Sequence, residues 1–235
     1  MTTELANRPL DVITIGRDSV DLYGQQIGTR LEDIASFAKS VGGCPTNIAV
    51  GTARLGLKSA LVTRVGNEQM GRFIREQLER EGVETSGIVT DPERLTALVL
   101  LAVENDNSFP LIFYRDNCAD AALNEADIDE AFIGSAQSVL VTGTHFSKPH
   151  SDKAQRKAMR IARMTGGKVV FDIDYRPNLW GLAGHDAGDS RYIASDSVSA
   201  HLRTVLPDCD LIVGTEEEVL IASGAGDLQN ALRTI

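Results

Sequence analysis

The chain has 235 residues, 43% of them hydrophobic, and a formal net charge of -10 from 23 basic and 33 acidic side chains. That length suits one large domain with a sizeable core. The acidity excludes a general nucleic-acid binder, which needs a basic surface, but not an anionic ligand, which a few placed arginines can hold.

In chain order, the first expected element is DVITIG (Asp11 to Gly16), a short buried strand ending in glycine. TNIAVGTARLG reads as a helix capped near Thr46 or Asn47 and stopped at Gly56. SALVTRVG is the next strand. NEQMGRFIREQLEREG follows as an amphipathic helix, with Met70, Phe73, Ile74 and Leu78 at helical spacing and Gly82 at its end. TALVLLAVE and FPLIFYR are rich in β-branched and aromatic residues and flank the turn formers NDNS, which predicts a hairpin. SVLVTG, KVVFDID and CDLIVGT are strands alternating with helical stretches. The first of these helices, SDKAQRKAMRIARMTGG, is expected to start at a Ser cap and to bury Ala154, Ala158 and Ile161, its basic residues forming a solvated face. GLAGHDAGDS (Gly181 to Ser190) is a Gly-rich loop.

Uninterrupted apolar strands separated by helices predict an α/β fold, a mostly parallel central sheet flanked by helices. The hairpin breaks that alternation and reads as a small lid over the sheet's ligand-binding edge. MTTELANRPL has no long apolar stretch, so no signal peptide is expected. LTALVLLAV is far too short to span a bilayer, so no membrane partner is expected. Cys44, Cys118 and Cys209 lie far apart with no C-x-x-C pair, which fits a reducing, cytoplasmic compartment. His145, His150, His185 and His201 show no metal-ligand spacing.

In open parallel sheets ligands sit at the carboxyl ends of strands. Asp18 and Asp21 follow the first strand, Gly42, Gly43 and Asn47 precede the early helix, DYRPNLW follows KVVFDI, and GTEEE follows CDLIV. Each group has two readings. Asp21 is a turn residue or a ligand contact. Gly42 and Gly43 form a tight turn or admit a ligand to the backbone; they do not make a G-x-G-x-x-G dinucleotide fingerprint. Asp172 and Asp174, two apart, point the same way on an extended strand. They suit a glycosidase or a metal, or with Arg176 an ion-paired, partly buried network. Glu216, Glu217 and Glu218 are an acidic first turn favoured by the helix dipole, or part of a site. Arg115 ends the hairpin, where a guanidinium can reach a ligand carboxylate.

Taken together these stretches resemble the ribokinase, or PfkB-type, sugar kinase family from about Asp11 to Glu218. The resemblance runs through Gly16 to Asp21, the GG and Asn of Gly42, Gly43 and Asn47, GNEQMG, a lid ending FYR, DIDYRPNLW, and a T-x-x-E ending at Glu218. YRDNCAD, FDIDYRPNLW and VGTEEE are most similar to a branch acting on a small sugar acid. Glu68, Asp174 and Thr215 stand where relatives often have Asp, Asn and Asn; the last two are subfamily features that weaken assignment to ribokinase or fructokinase proper. The resemblance implies a ribokinase-like fold, one PfkB-type domain over residues 1–235, and lid strands within about 17–40 and 95–118. It implies ATP-dependent phosphorylation with Mg2+, and a possible homodimer through the lid. Asp21, Gly42, Gly43, Asn47, Arg115 and Arg176 would bind the sugar. Asp174, Thr215 and Glu218 would lie in the phosphate and magnesium region, with no direct metal ligand.

In that family a G-A-G-D turn supplies the anion hole and the base. SGAGDLQNALRTI has the letters, at Gly224 to Asp227, only eight residues after Glu218. The bland reading is that Gly224 or Gly226 ends one helix and Asp227 caps the next, so that Asp227 is not the base. The last helix stops at Ile235 without a cap or glycine. The anion hole and base are therefore expected beyond Ile235, leaving these residues without turnover, or as a sugar-acid binding fragment.

Overall fold

The computed structural model describes residues 8–106, 108–184 and 192–235. His185 and most of the predicted Gly-rich loop lie outside the described residues.

Ten strands form two sheets. The larger is built from β1 (Leu10–Ile15), β4 (Ser59–Gly66), β5 (Ile88–Asp91), β8 (Ala136–Thr142), β9 (Lys168–Asp172) and β10 (Leu211–Val213), in the order β10-β9-β8-β1-β4-β5. Every neighbouring pair in it is parallel. Ile13, Ile15, Val139, Val141, Val169 and Phe171 are fully buried, as expected where helices cover both faces. From β1 the chain winds outward through β4 and β5, then returns to β8 on the other side of β1. That reversal opens a crevice at the carboxyl ends of β1 and β8, where this architecture binds ligands.

The smaller sheet has the order β3-β2-β6-β7: β2 (Ser19–Gly24), β3 (Phe37–Gly42), β6 (Leu98–Leu101) and β7 (Leu111–Tyr114). The residue pattern predicts one small hairpin, and the family likeness implies lid strands within about 17–40 and 95–118. The structure has two hairpins, β2–β3 and β6–β7, joined in parallel through β2 and β6. β3 runs two residues past the expected limit at 40. Val20 from this sheet packs with Ala49, Leu61, Val65, Ile74 and Leu78 in a second core cluster, which fixes the lid to the larger sheet.

Seven α-helices complete the described chain: α1 (Cys44–Arg54), α2 (Gln69–Arg80), α3 (Glu130–Gly134), α4 (Pro149–Met164), α5 (Asp196–Arg203), α6 (Glu216–Ser223) and α7 (Leu228–Thr234). Two N-termini differ from expectation, each because proline starts the helix early. α1 begins at Cys44, before Thr46 and Asn47, with Pro45 in its first turn and Gly43 at φ +98° as the cap. α4 begins at Pro149, so Ser151 is inside the helix, and its Oγ donates to the His145 carbonyl at 2.6 Å. α2 matches its predicted span, and the Glu68 carboxylate caps it by accepting from the Met70 and Gly71 amides.

Candidate active site

The carboxyl ends of β1, β9 and β10 are tied together by a buried chain of charges. Arg17, just past β1, donates through Nη2 to Asp174 Oδ1 at 3.1 Å and through Nε to Oδ2 at 3.2 Å. Arg176 Nη2 approaches Asp174 Oδ1 at 3.3 Å, and its Nη1 lies 3.7 Å from Glu218 Oε1. Burial works against the charge on Arg17, but Asp174, together with Cys44 and Asp120, more than offsets it, so the guanidinium is held more firmly cationic than usual. Thr144 Oγ1 donates to Asp174 Oδ2 at 3.2 Å. Asp174 has φ +31°, a sparsely populated conformation that Asp tolerates better than most residues. Asp172 and Asp174 therefore do not share one extended strand, because β9 ends at Asp172. Asp172 instead accepts from the Cys44 thiol at 2.6 Å. Burial pushes that thiol up, and Asp174 and Asp172 push it further.

Glu218 holds a local structure as well as a charge. Thr215 caps α6 and Glu218 returns the bond, its Oε2 accepting from the Thr215 amide at 2.9 Å. Its Oε1 accepts from the Tyr175 amide at 2.9 Å, fixing the loop after β9.

Asp21 projects from β2 toward the turn before α1. Ser19 Oγ donates to its Oδ1 at 2.7 Å. A Cβ at Gly42 would collide with this carboxylate, and one at Gly43 would collide with the Arg17 carbonyl. Gly43, at φ +98° against backbone, thus requires glycine, and Gly42 leaves the space that the Asp21 carboxylate occupies. Burial raises the Asp21 carboxyl above its ordinary range, and Ser19, Arg17 and Arg115 draw it back.

Arg115 follows β7 and is more than nine-tenths buried. Its Nη1 donates to the Asp18 carbonyl at 3.0 Å and its Nη2 pairs with Asp120; its buried Nε has no hydrogen-bond partner among the described residues. Arg115 lines a cavity of about 670 Å³ together with Thr144, His145, Lys148 and Asn178. Asn47 faces elsewhere, into a smaller hollow of about 380 Å³ with Lys39, Val50 and Arg54. The structure therefore brings Asp21, Gly42, Gly43 and Arg115 to one side of the crevice, joined through Arg17 to Asp174, Arg176 and Glu218. It places Asn47 apart.

Sequence reasoning noted Asp18 at the end of the first strand without giving it a role, and assigned none to Arg17, Asp120 or His145. The buried Asp18 carboxyl lies well above the aspartate range because of burial and the charge of Asp120, and neither of its oxygens has a partner among the described residues. His145 Nε2 contacts the Asp120 carbonyl at 3.2 Å, and burial pulls its imidazole down to about 4. Arg17 had a usable signal, an arginine directly after a glycine-ended strand. The others become visible only when residues near 18, 120 and 145 meet in space.

Asp227 caps α7 through its carboxylate, which accepts from the Asn230 amide at 2.9 Å, and is exposed. Gly224, at φ +72°, ends α6. Among the described residues there is no group of three or more His, Cys, Asp or Glu side chains able to hold a metal ion.

The pfkB family of carbohydrate kinases matches residues 10–234. A 5-dehydro-2-deoxygluconokinase of Geobacillus kaustophilus is 38% identical over 212 residues, covering 90% of this chain and 60% of the relative. The chain thus spans about three fifths of the length of such curated relatives. A crystal structure of a PfkB protein from Polaromonas superposes with a TM-score of 0.84 at 29% identity, over 95% of this chain and 72% of that one. An uncharacterized sugar kinase from Pyrococcus horikoshii, in complex with ATP, gives 0.77 at 28% identity over 92% and 67%.

Proposed function

Because the chain belongs to the pfkB family of carbohydrate kinases, we propose that it holds the sugar in an ATP-dependent phosphorylation of a small sugar acid. The substrate we favour is 5-dehydro-2-deoxy-D-gluconate, since the curated relatives are named 5-dehydro-2-deoxygluconokinase, and we assign its 6-hydroxyl as the acceptor. The observation that carries the reading is the alternation of charge along the crevice, Arg115, Asp21, Arg17, Asp174 and Arg176. Carboxylates there accept from sugar hydroxyls, and guanidinium groups face an anionic substrate.

ATP supplies the phosphoryl group when bound. Arg176, partly exposed at the end of the chain of charges, faces that group or the anionic end of the sugar acid, and Arg17 fixes Asp174 beneath it. Asp21 orients the sugar through its hydroxyls; such positioning is the main demand of phosphoryl transfer. Glu218, whose oxygens also accept the Tyr175 and Thr215 amides, would help organise magnesium and its waters. The protein works in the cytoplasm. The test is ADP release by the full-length protein with 5-dehydro-2-deoxygluconate, 2-dehydro-3-deoxygluconate and fructose side by side. Preference for either of the last two overturns the substrate; turnover of none overturns the kinase reading.

The position of Asp227 favours a second reading for these 235 residues by themselves, binding without turnover. An exposed carboxylate engaged in capping α7 is not placed as a general base. Calorimetric titration of the 235-residue chain should show uptake of the sugar acid with no ADP formed when ATP is added. Turnover abolished by Asp227→Asn contradicts this.

A further inference from the structure

We propose that the cavity beside the lid is a carboxylate subsite in which Lys148 selects a sugar acid over a neutral sugar. The inference rests on the sugar-acid reading above and assigns one part of that site.

The cavity, about 670 Å³, has the size of a small-molecule pocket. It adjoins the crevice: Thr144 lines it and donates to Asp174, and Arg115 lines it while its charge acts on Asp21. A ligand whose hydroxyls meet Asp21 therefore extends its other end into this cavity.

Its walls carry the side chains of Arg64, Arg94, Arg115 and Lys148 against one carboxylate, Asp116. Three of the cations are already matched. Arg64 and Arg94 share Asp91 at 3.4 and 3.2 Å, and Arg115 pairs with Asp120. Lys148 is exposed and has no ion pair among the described residues, so its charge is left for a ligand.

Two further sets of donors belong to residues that line the same cavity. No side chain caps α4, a 16-residue helix with Pro149 at its start. The amide N–H groups of His150 and Ser151 consequently have no partner within the helix, and they sit at its positive end. The second set is Arg115 Nε, buried and without a hydrogen-bond partner among the described residues. An ammonium, two helix-terminal amides and a guanidinium N–H suit an anion. In a sugar acid that anion is the C1 carboxylate.

The test is calorimetric titration of the whole chain with 5-dehydro-2-deoxy-D-gluconate and with its uncharged methyl ester. Unaltered protein should prefer the acid. Lys148→Ala should weaken the acid about tenfold or more, the size of one charge-assisted hydrogen bond, and leave the ester unchanged. Lys148→Arg should restore most of the loss. Since Lys148 is exposed, the melting temperature of the alanine variant should match the parent. Equal loss for both ligands, or no loss for either, overturns the subsite while leaving the kinase reading intact. Failure of the unaltered chain to bind either ligand overturns the sugar-acid reading itself.

Discussion

Asp174 is the residue on which the crevice turns, and its two arginine partners are not equivalent. The Arg17 side chain is 7% exposed and bonds both carboxylate oxygens, whereas Arg176 is 21% exposed and meets one of them at 3.3 Å. Removing one partner of a buried pair strands the other charge. Arg17→Ala should therefore cost roughly 3 kcal/mol in urea unfolding, and Arg176→Ala only about 1 kcal/mol, because Asp174 keeps its bidentate partner. The reverse order would mean that Arg176 is the anchor. His145 gives a pH signature. Its imidazole ionises near 6.5 in an unfolded chain but at about 4 here, so between those values the unfolded chain binds the extra proton. Stability is lost as pH falls through that window, by roughly 3 kcal/mol in all. Asp18 acts oppositely: its folded value is raised, so the stability it contributes is present at low pH and lost as pH rises. Comparing the pH slope of the parent with that of His145→Gln isolates the histidine. A variant as steep as the parent between pH 7 and 4 would remove His145 as the cause.

At the scale of elements, the caps separate structure from chemistry. Asp227→Ala should weaken α7, while Asp227→Asn should be silent in stability, because asparagine caps as well as aspartate. A general base replaced by its amide would instead cut turnover of the full-length protein by about 10²–10⁴, so the asparagine variant decides between cap and base. The same elements show what could be read from the chain. α2 was legible because its apolar residues repeat at helical spacing and its polar face is uninterrupted. The starts of α1 and α4 were misplaced because Ser and Thr are attractive caps, yet Pro45 and Pro149 fix the backbone a few residues earlier. β2 and β3 were located only by family likeness. β3 is mostly exposed and β2 mixes buried with exposed positions, so neither shows clean alternation. The polar residues at strand ends could be named one by one. The Arg17–Asp174 pairing could not, since it spans 157 positions and depends on strand order.

For the whole molecule the sheet edges decide how copies meet. β10 is an edge strand of the larger sheet, with Leu211 55% and Val213 48% exposed. Unpaired backbone groups beside exposed apolar side chains make a template for another strand. The lid offers a second surface, carrying Tyr23 and Tyr114, and lid-mediated pairing was the expectation from family likeness. Its β3 edge, however, carries Lys39, whose ammonium lies over the Phe73 ring at 3.9 Å, and lysine on an edge strand discourages further pairing. β10 has no charged residue among Leu211, Ile212 and Val213. The 235-residue chain should therefore associate through β10, with sedimentation coefficients that rise with concentration. Val213→Lys should return it to monomer without lowering its melting temperature, since that side chain is half exposed. If Val213→Lys still associates and Tyr114→Lys does not, the contact belongs to the lid, and the crevice is then assembled next to a second copy rather than by one chain alone.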